Sequence, residues 1–219
     1  MIDFSLANLF RRLRAWRKRL RYFPGSSSYW ESRYARGGNS GAGSYDRLAE
    51  FKARVINEFV RENAIDSVIE FGCGDGNQLT LAKYPQYIGF DVSKTAVARC
   101  RELFAGDESK KFLMVDEFEA HIADLSLSLD VVYHLVEDDV FRGYMNNLFA
   151  ASSRYVCIYS SNKDEWQEPH VRHRKFTEWV EENSRDWVCF KKIDNEYPFD
   201  ANRKRDTSFA DFYFFRKVG

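Results

Sequence analysis

The sequence lacks any Cys-x-x-Cys pair. Its four cysteines, Cys73, Cys100, Cys157 and Cys189, stand far apart, which disfavours zinc and disulfide frameworks and suits reduced thiols in a cytosol. No apolar run approaches the roughly 20 residues that a membrane span requires. Neither sign of charge dominates, because 33 basic residues match 33 acidic ones. That balance argues against a general nucleic-acid binder. No lysine follows a glycine-rich loop as a triphosphate cradle would need, and no internal repeat or low-complexity segment occurs. What is present is 44% hydrophobic and 16% aromatic residues in 219 positions. This is enough to bury a core, so the composition argues against disorder and suits one domain with an N-terminal extension.

The neutral total hides an asymmetry. Residues 1–22 carry seven basic side chains against Asp3 alone, a net charge of +6, so the other 197 residues net −6. Ile2, Leu6, Leu9, Leu13, Trp16 and Leu20 recur at steps of three and four, an apolar stripe along one helical face. Such a basic amphipathic helix, assigned to residues 1–23, fits peripheral contact with a membrane surface. It equally fits packing on the domain or on a partner subunit, and a disordered tail is the third reading. It has no signal-peptide cleavage site or long apolar core. These features imply a cytoplasmic protein, placed at the inner face of the membrane if the helix binds lipid. The sequence leaves the oligomeric state open.

Pro24 and Gly25 end this helix, and four glycines fall between Gly37 and Gly43. Glycine lets a backbone approach a ligand closely. Ser44 and Asp46 can cap a helix that runs to about Asn63 and buries Leu48, Phe51, Val55, Ile56, Phe59 and Val60. Strands and helices then alternate. "DSVIEFG" reads as a buried strand before a short helix over Asn77–Lys83. "QYIGFD" is a second strand before a helix from Ser93 to about Phe104. "KKFLMVD" and "ADLSLSLD" are the third and fourth strands, and a helix covers about Asp138–Ala151. "RYVCIYSS" is the fifth strand, followed by a helix around Lys175–Asn183 and the final strands "WVCFKKID" and "TSFADFYFFRKV". This succession predicts an α/β fold: a seven-stranded, mostly parallel sheet with helices on both faces and a C-terminal antiparallel hairpin at one edge.

In such sheets ligands bind beyond the carboxyl ends of the strands. The first strand ends in "EFGCGDGNQ", where Gly72, Gly74 and Gly76 form G-x-G-x-G. A dinucleotide fingerprint would have its third glycine at position 77, which here is Asn77. Glu70 at the strand end repels pyrophosphate but suits a cationic ligand. Asp91 ends the second strand 21 residues after Glu70, where a carboxylate can accept both hydroxyls of a ribose. Asp116 ends the third strand at the level expected for an adenine amino group.

These residues resemble the class I S-adenosylmethionine-dependent methyltransferases over about residues 45–160. "EFGCGDG" matches their first motif, "GFDVS" the acidic end of their second strand, and "ADLSLSLDVVYHL" their fourth-strand segment with Asp130 and His134. The resemblance implies a Rossmann-like fold, S-adenosyl-L-methionine as cofactor, and a core over residues 64–219. Glu70, Gly72, Cys73, Gly74 and Gly76 would hold its methionine part. Asp91 with Val92 would hold the ribose and Asp116 with Glu117 the adenine, with Asp130 nearby. "YWESRYARGGNSGAGSY" further resembles bacterial members linked with surface-glycan or natural-product pathways. In that likeness residues 24–63 supply a glycine-rich lid and the first core helix. Trp30, Arg33 and Tyr34 lie over the cofactor, and Arg33 pairs with the methionine carboxylate.

The sulfonium methyl is a strong electrophile, so the protein must mainly align the attack and exclude water. A hydroxyl acceptor also needs its proton removed, and histidine is the usual base. His134 is the first candidate and His173 the second; either could instead fix a loop. Glu137, Asp138 and Asp139 fit a helix N-terminus better than a metal site, and no metal is assigned. "EPHVRHRKF" follows the fifth strand on the acceptor side. His170, Arg172, Arg174 and Lys175 would suit an anionic substrate, with Tyr34 a further contact. A plain helix start with solvated charges is the alternative. The expected reaction is O-methylation of a sugar or glycan hydroxyl, the acceptor a small molecule or glycan and not a nucleic acid. An N-methyltransferase and a non-catalytic cofactor-binding module remain open.

Overall fold

The computed structural model describes residues 23–218. The basic segment 1–22, and with it the amphipathic-helix reading, lies outside those residues. Within them, the alternation of side chains along each strand sends two sets of apolar residues to opposite faces. In β1 (Ser67–Phe71) Val68 joins one core cluster, while Ile69 and Phe71 join the other. The remaining strands of the main sheet are β2 (Gln86–Asp91), β3 (Lys110–Met114), β4 (Ala123–Leu129), β5 (Ser152–Ser160), β8 (Trp187–Ile193) and β9 (Asp211–Lys217). The spatial order is β3-β2-β1-β4-β5-β9-β8. Strands β1 to β5 pair in parallel, and β9 runs antiparallel to both β5 and β8. The expected seven-stranded, mostly parallel sheet is therefore observed. Its final two strands do pair antiparallel, with β9 inserted inside and β8 at the edge.

Helix α2 (Asp46–Glu62) and α3 (Lys94–Leu103) cover one face; α4 (Asp138–Ala150) and α5 (Phe176–Asn183) cover the other. On α2 the residues Phe51, Val55, Ile56 and Phe59 are buried at helical spacing, each contributing about 1.5–3 kcal/mol of apolar burial. Ser93 caps α3 by accepting the Ala96 N–H at 3.1 Å.

Several local expectations change. Tyr45, not Ser44 or Asp46, is the N-cap of α2, because residues 42–44 form a 3-10 turn. The helix expected over Asn77–Lys83 is a single 3-10 turn, Gln78–Leu81. Residues Ser26–Ala35, within the segment expected to form a glycine-rich lid, form helix α1. The stretch Glu165–His173 is a two-stranded hairpin, β6 (Glu165–Glu168) with β7 (Val171–His173), rather than a helix start.

Candidate active site

The carboxyl ends of β1, β2 and β4 meet under α1, and a cavity of about 330 Å³ opens between them. Its floor is the turn after β1. Gly72 has φ +88 and Gly74 φ +61; an added Cβ would strike the Val131 side chain at the first and Ser40 at the second. Only glycine takes this backbone conformation and fits this close to Val131 and Ser40.

Asp91 and Glu70 are both 5% exposed. Asp91 accepts the Gly74 and Ser93 N–H groups, each at 2.9 Å. Burial nevertheless pushes its pKa up to about 6, since desolvation penalises the charged form. Glu70 accepts the Tyr87 hydroxyl at 2.7 Å, and burial raises its pKa to about 7. Neither has an ion-pair partner among the described residues. Beside them Lys52, from α2, is 1% exposed and places its Nζ 2.6 Å from Asp130 Oδ2. Asp130 also accepts the Tyr133 hydroxyl at 2.7 Å and has φ +61, a strained backbone for a residue with a Cβ. Gln78 donates to the Ala49 carbonyl at 3.1 Å, while its buried Oε1 has no hydrogen-bond partner among the described residues. Lys52, Gln78, Asp130 and Glu70 all line the cavity.

The roof is α1 with the loop that follows it. The Ser26 N–H donates to Glu137 at 2.9 Å. Glu31 accepts from the hydroxyls of Ser93 at 2.6 Å and Thr95 at 2.7 Å. Asp75, in the floor turn, accepts the Ser40 N–H and the Tyr45 hydroxyl, both at 2.8 Å. Floor and roof are thus fastened by short hydrogen bonds on three sides. Tyr34 is 2% exposed and faces the cavity. Arg33 does not line it; its Nε donates to the Asn39 carbonyl at 2.6 Å and stiffens the roof loop.

His134 also lines the cavity. Its Nδ1 lies 2.9 Å from the His170 carbonyl oxygen. A carbonyl can only accept, so Nδ1 carries the proton and Nε2 presents a lone pair. Burial lowers the His134 pKa to about 4, which keeps the ring neutral. Trp30 meets it edge-on at 4.9 Å, and His170 lies parallel to it at 5.8 Å with Tyr29 stacked beyond at 4.5 Å.

No protein-family profile matches the chain. A small RNA 2'-O-methyltransferase of Arabidopsis thaliana is 22% identical, covering 74% of this chain and 19% of that protein. The chain therefore spans about a fifth of that relative's length. Among solved structures, the N-methyltransferase NodS from Bradyrhizobium japonicum WM9, in complex with S-adenosyl-L-homocysteine, superposes with a TM-score of 0.68. It is 17% identical and covers 89% of this chain and 100% of NodS. Magnesium protoporphyrin IX methyltransferase from Synechocystis PCC 6803, with bound S-adenosylmethionine, gives 0.59 at 14% identity over 78% of this chain and 81% of that one. The methyltransferase domain of bacterial CtHen1-C gives 0.59 at 14% identity, over 77% and 97%. The fold is that of the class I S-adenosylmethionine-dependent methyltransferases.

Against that methyltransferase fold, the cavity fits an adenosine joined to an amino acid. It offers a carboxylate at the end of β2, close backbone at the glycine turn, and an unpartnered amide oxygen at Gln78. Of the sequence-predicted residues it gathers Tyr34, Glu70, Gly72, Cys73, Gly74, Asp91, Val92, Asp130 and His134. Gly76 lies outside, packed against Cys100 and Phe104. Asp116 and Glu117 are exposed and also outside; strand β3 stops at Met114, so Val115 reaches the cavity instead. Glu117 caps the turn by accepting the Met114 N–H at 2.7 Å.

Two expectations on the acceptor side are corrected. His173 is 1% exposed and uses both ring nitrogens, at 2.6 Å to Ser161 Oγ and 2.7 Å to Gln167 Oε1. It has no lone pair left for a base and does not line the cavity. Arg174 is 7% exposed and binds Asp138 at 2.7 Å and the carbonyls of Leu135 and Val136 at 3.0 and 2.9 Å. It fixes the loop that carries His134. Arg172 shares Asp138 at 2.8 Å and lies over the Trp166 ring. His170 supplies the carbonyl that orients His134.

Sequence reasoning missed Lys52, Gln78 and Asp75. Lys52 is the readable one, since a lysine amid the buried positions of α2 has to find an anion. The balanced charge spoke against a nucleic-acid acceptor; a match to an RNA methyltransferase removes the support for that exclusion. No helix of the described residues is long and apolar enough to cross a membrane.

Proposed function

We propose that the chain is an S-adenosylmethionine-dependent methyltransferase acting on a sugar hydroxyl, with His134 as the group that takes the hydroxyl proton. The observation that carries this reading is the oriented, neutral imidazole of His134 in the cavity lining, with Nε2 left carrying a lone pair. Bound S-adenosylmethionine supplies an electrophilic methyl group; everything else falls to the chain's own side chains.

Asp91 accepts the ribose hydroxyls, and Val92 and Val115 flank the adenine. Glu70 with the Gly72–Gly74 backbone lies along the methionine part. Lys52 faces the carboxylate of the amino-acid end and Gln78 Oε1 accepts from its ammonium. Trp30 and Tyr34 close the roof and keep water out. Asp130 keeps Lys52 in position. With the acceptor hydroxyl in line, His134 Nε2 would take its proton as the C–O bond forms and the methyl–sulfur bond breaks to leave a neutral thioether. An alkylated oxygen is a strong acid, so a weak base suffices.

A nitrogen acceptor needs no such base, which separates the two enzyme readings. The test is methyl transfer from labelled S-adenosylmethionine to paired hydroxyl and amine acceptors, with wild type and His134→Phe. A rate that falls on hydroxyl acceptors with cofactor binding retained supports the proposal. Transfer to amines alone, unaffected by His134→Phe, overturns it. Cofactor binding without transfer to any acceptor would favour the non-catalytic binding module.

A further inference from the structure

The connection from β8 to β9 runs from Asp194 to Ala210 without a named helix or strand. Loops of this length inside a small domain usually carry function. This one is built rather than slack. The Arg203 N–H donates to the Asp200 carbonyl and the Asp206 N–H to the Arg203 carbonyl, both at 3.0 Å. The Thr207 hydroxyl donates to the Arg203 carbonyl at 2.8 Å, and the Asp200 carboxylate caps the Asn202 N–H at 2.8 Å. The closed turn presents Arg203, Lys204 and Arg205 in succession, all exposed. Arg203 sits 3.8 Å from Asp206, a loose pair, and Lys204 and Arg205 have no partner among the described residues.

The turn is tied to elements that carry cavity residues. The Arg47 Nε, in the first turn of α2, donates to the Asp206 carbonyl at 2.9 Å, three residues from Ser44 in the cavity wall. From the other side Phe209 meets Tyr133 edge-on at 5.0 Å, and Tyr133 lies 4.6 Å from His134. Phe199, 47% exposed, packs on Phe209 and adds an apolar shelf beside the cations.

We infer that this turn is an acceptor subsite that binds the phosphate of a phosphorylated sugar whose hydroxyl is presented to His134. The inference rests on the proposed methyl transfer to a sugar hydroxyl and narrows its substrate class. The closed turn already holds the three cations close together, so binding a phosphate costs side-chain freedom but no ordering of the backbone. The concentration of charge favours a compact mono- or diphosphate over a nucleic-acid strand. A strand needs phosphate contacts along a track, whereas residues 23–219 net −6 and these three cations fall on one turn.

The test is calorimetric titration with inorganic pyrophosphate and with a hexose 1-phosphate, at low ionic strength, of the full chain saturated with S-adenosyl-L-homocysteine. Wild type should bind both. The triple variant Arg203→Ser, Lys204→Ser, Arg205→Ser should lose at least about tenfold in both affinities, with melting temperature and S-adenosyl-L-homocysteine affinity unchanged. The charge-keeping pair Arg203→Lys, Arg205→Lys should retain most of the pyrophosphate binding. Equal pyrophosphate affinity in wild type and the triple variant would overturn the inference. So would binding of 5'-phosphorylated single-stranded RNA that pyrophosphate does not displace. If wild type binds pyrophosphate through these residues but never S-adenosyl-L-homocysteine, the methyltransferase reading fails and the phosphate subsite stands.

Discussion

The cavity and the packing behind it treat polar side chains in opposite ways. At the cofactor end Asp91 and Glu70 are buried without an ion-pair partner among the described residues, and Gln78 keeps an oxygen unbonded. Behind the cavity, off its lining, His173 has both nitrogens bonded and Arg174 shares Asp138 with Arg172. A folded chain that leaves groups unsatisfied bears a stability cost, which a ligand that satisfies them removes. Fully matched groups hold a scaffold in shape. By this criterion His134, with one nitrogen oriented and the other free among the described residues, belongs with the cavity groups although matched groups hold its loop.

The largest effect should come from breaking that exception. His134→Phe should lower methyl transfer to a hydroxyl acceptor by about 10²–10⁴-fold, with S-adenosyl-L-homocysteine affinity retained in calorimetry. Next, Asp91→Asn removes the anionic acceptor for the ribose, and S-adenosyl-L-homocysteine affinity should fall roughly 10–100-fold. Lys52→Met should weaken the same ligand about tenfold while affinity for 5'-methylthioadenosine, which lacks the amino-acid end, stays unchanged. A purely structural Lys52 would shift both ligands together. On the scaffold side, His173→Phe leaves the buried Ser161 hydroxyl without its partner and should cost about 1–3 kcal/mol in denaturant unfolding. The folded fraction should keep its catalytic rate; a specific loss of rate would return His173 to the active site.

Much of the cofactor end was legible because its signals are local and periodic. Glu70 and Asp91 close runs of buried strand residues, and strand ends are where this architecture binds ligands. Asp116 misled because strand β3 stops two residues earlier and the following turn swings the carboxylate outward. The acceptor end was less legible because distant contacts decide it. Helix α1 begins with three serines, poor helix formers, and is held by Glu137, Ser93 and Thr95. Strand β6 has every residue exposed, so it shows no burial pattern to read. Arg174 looks like any surface arginine until Asp138 and two carbonyls converge on it. The amphipathic reading of residues 1–22 lies outside the described residues and stands as a proposal of membrane-surface or subunit contact.

The central claim is that a buried, unneutralised Asp91 awaits the cofactor. Its pKa of about 6 is raised above the usual carboxylate value, so the carboxylate is mostly protonated at pH 5 and mostly ionised at pH 8. Only the ionised form accepts both ribose hydroxyls, so affinity must rise with pH through this window. The most direct measurement is calorimetric titration of the wild-type chain with S-adenosyl-L-homocysteine at pH 5 and pH 8. The expected result is binding at pH 8 that is about tenfold weaker at pH 5, with the contrast reduced in Asp91→Asn. Absence of binding at pH 8, or equal affinity at both pH values, would contradict it.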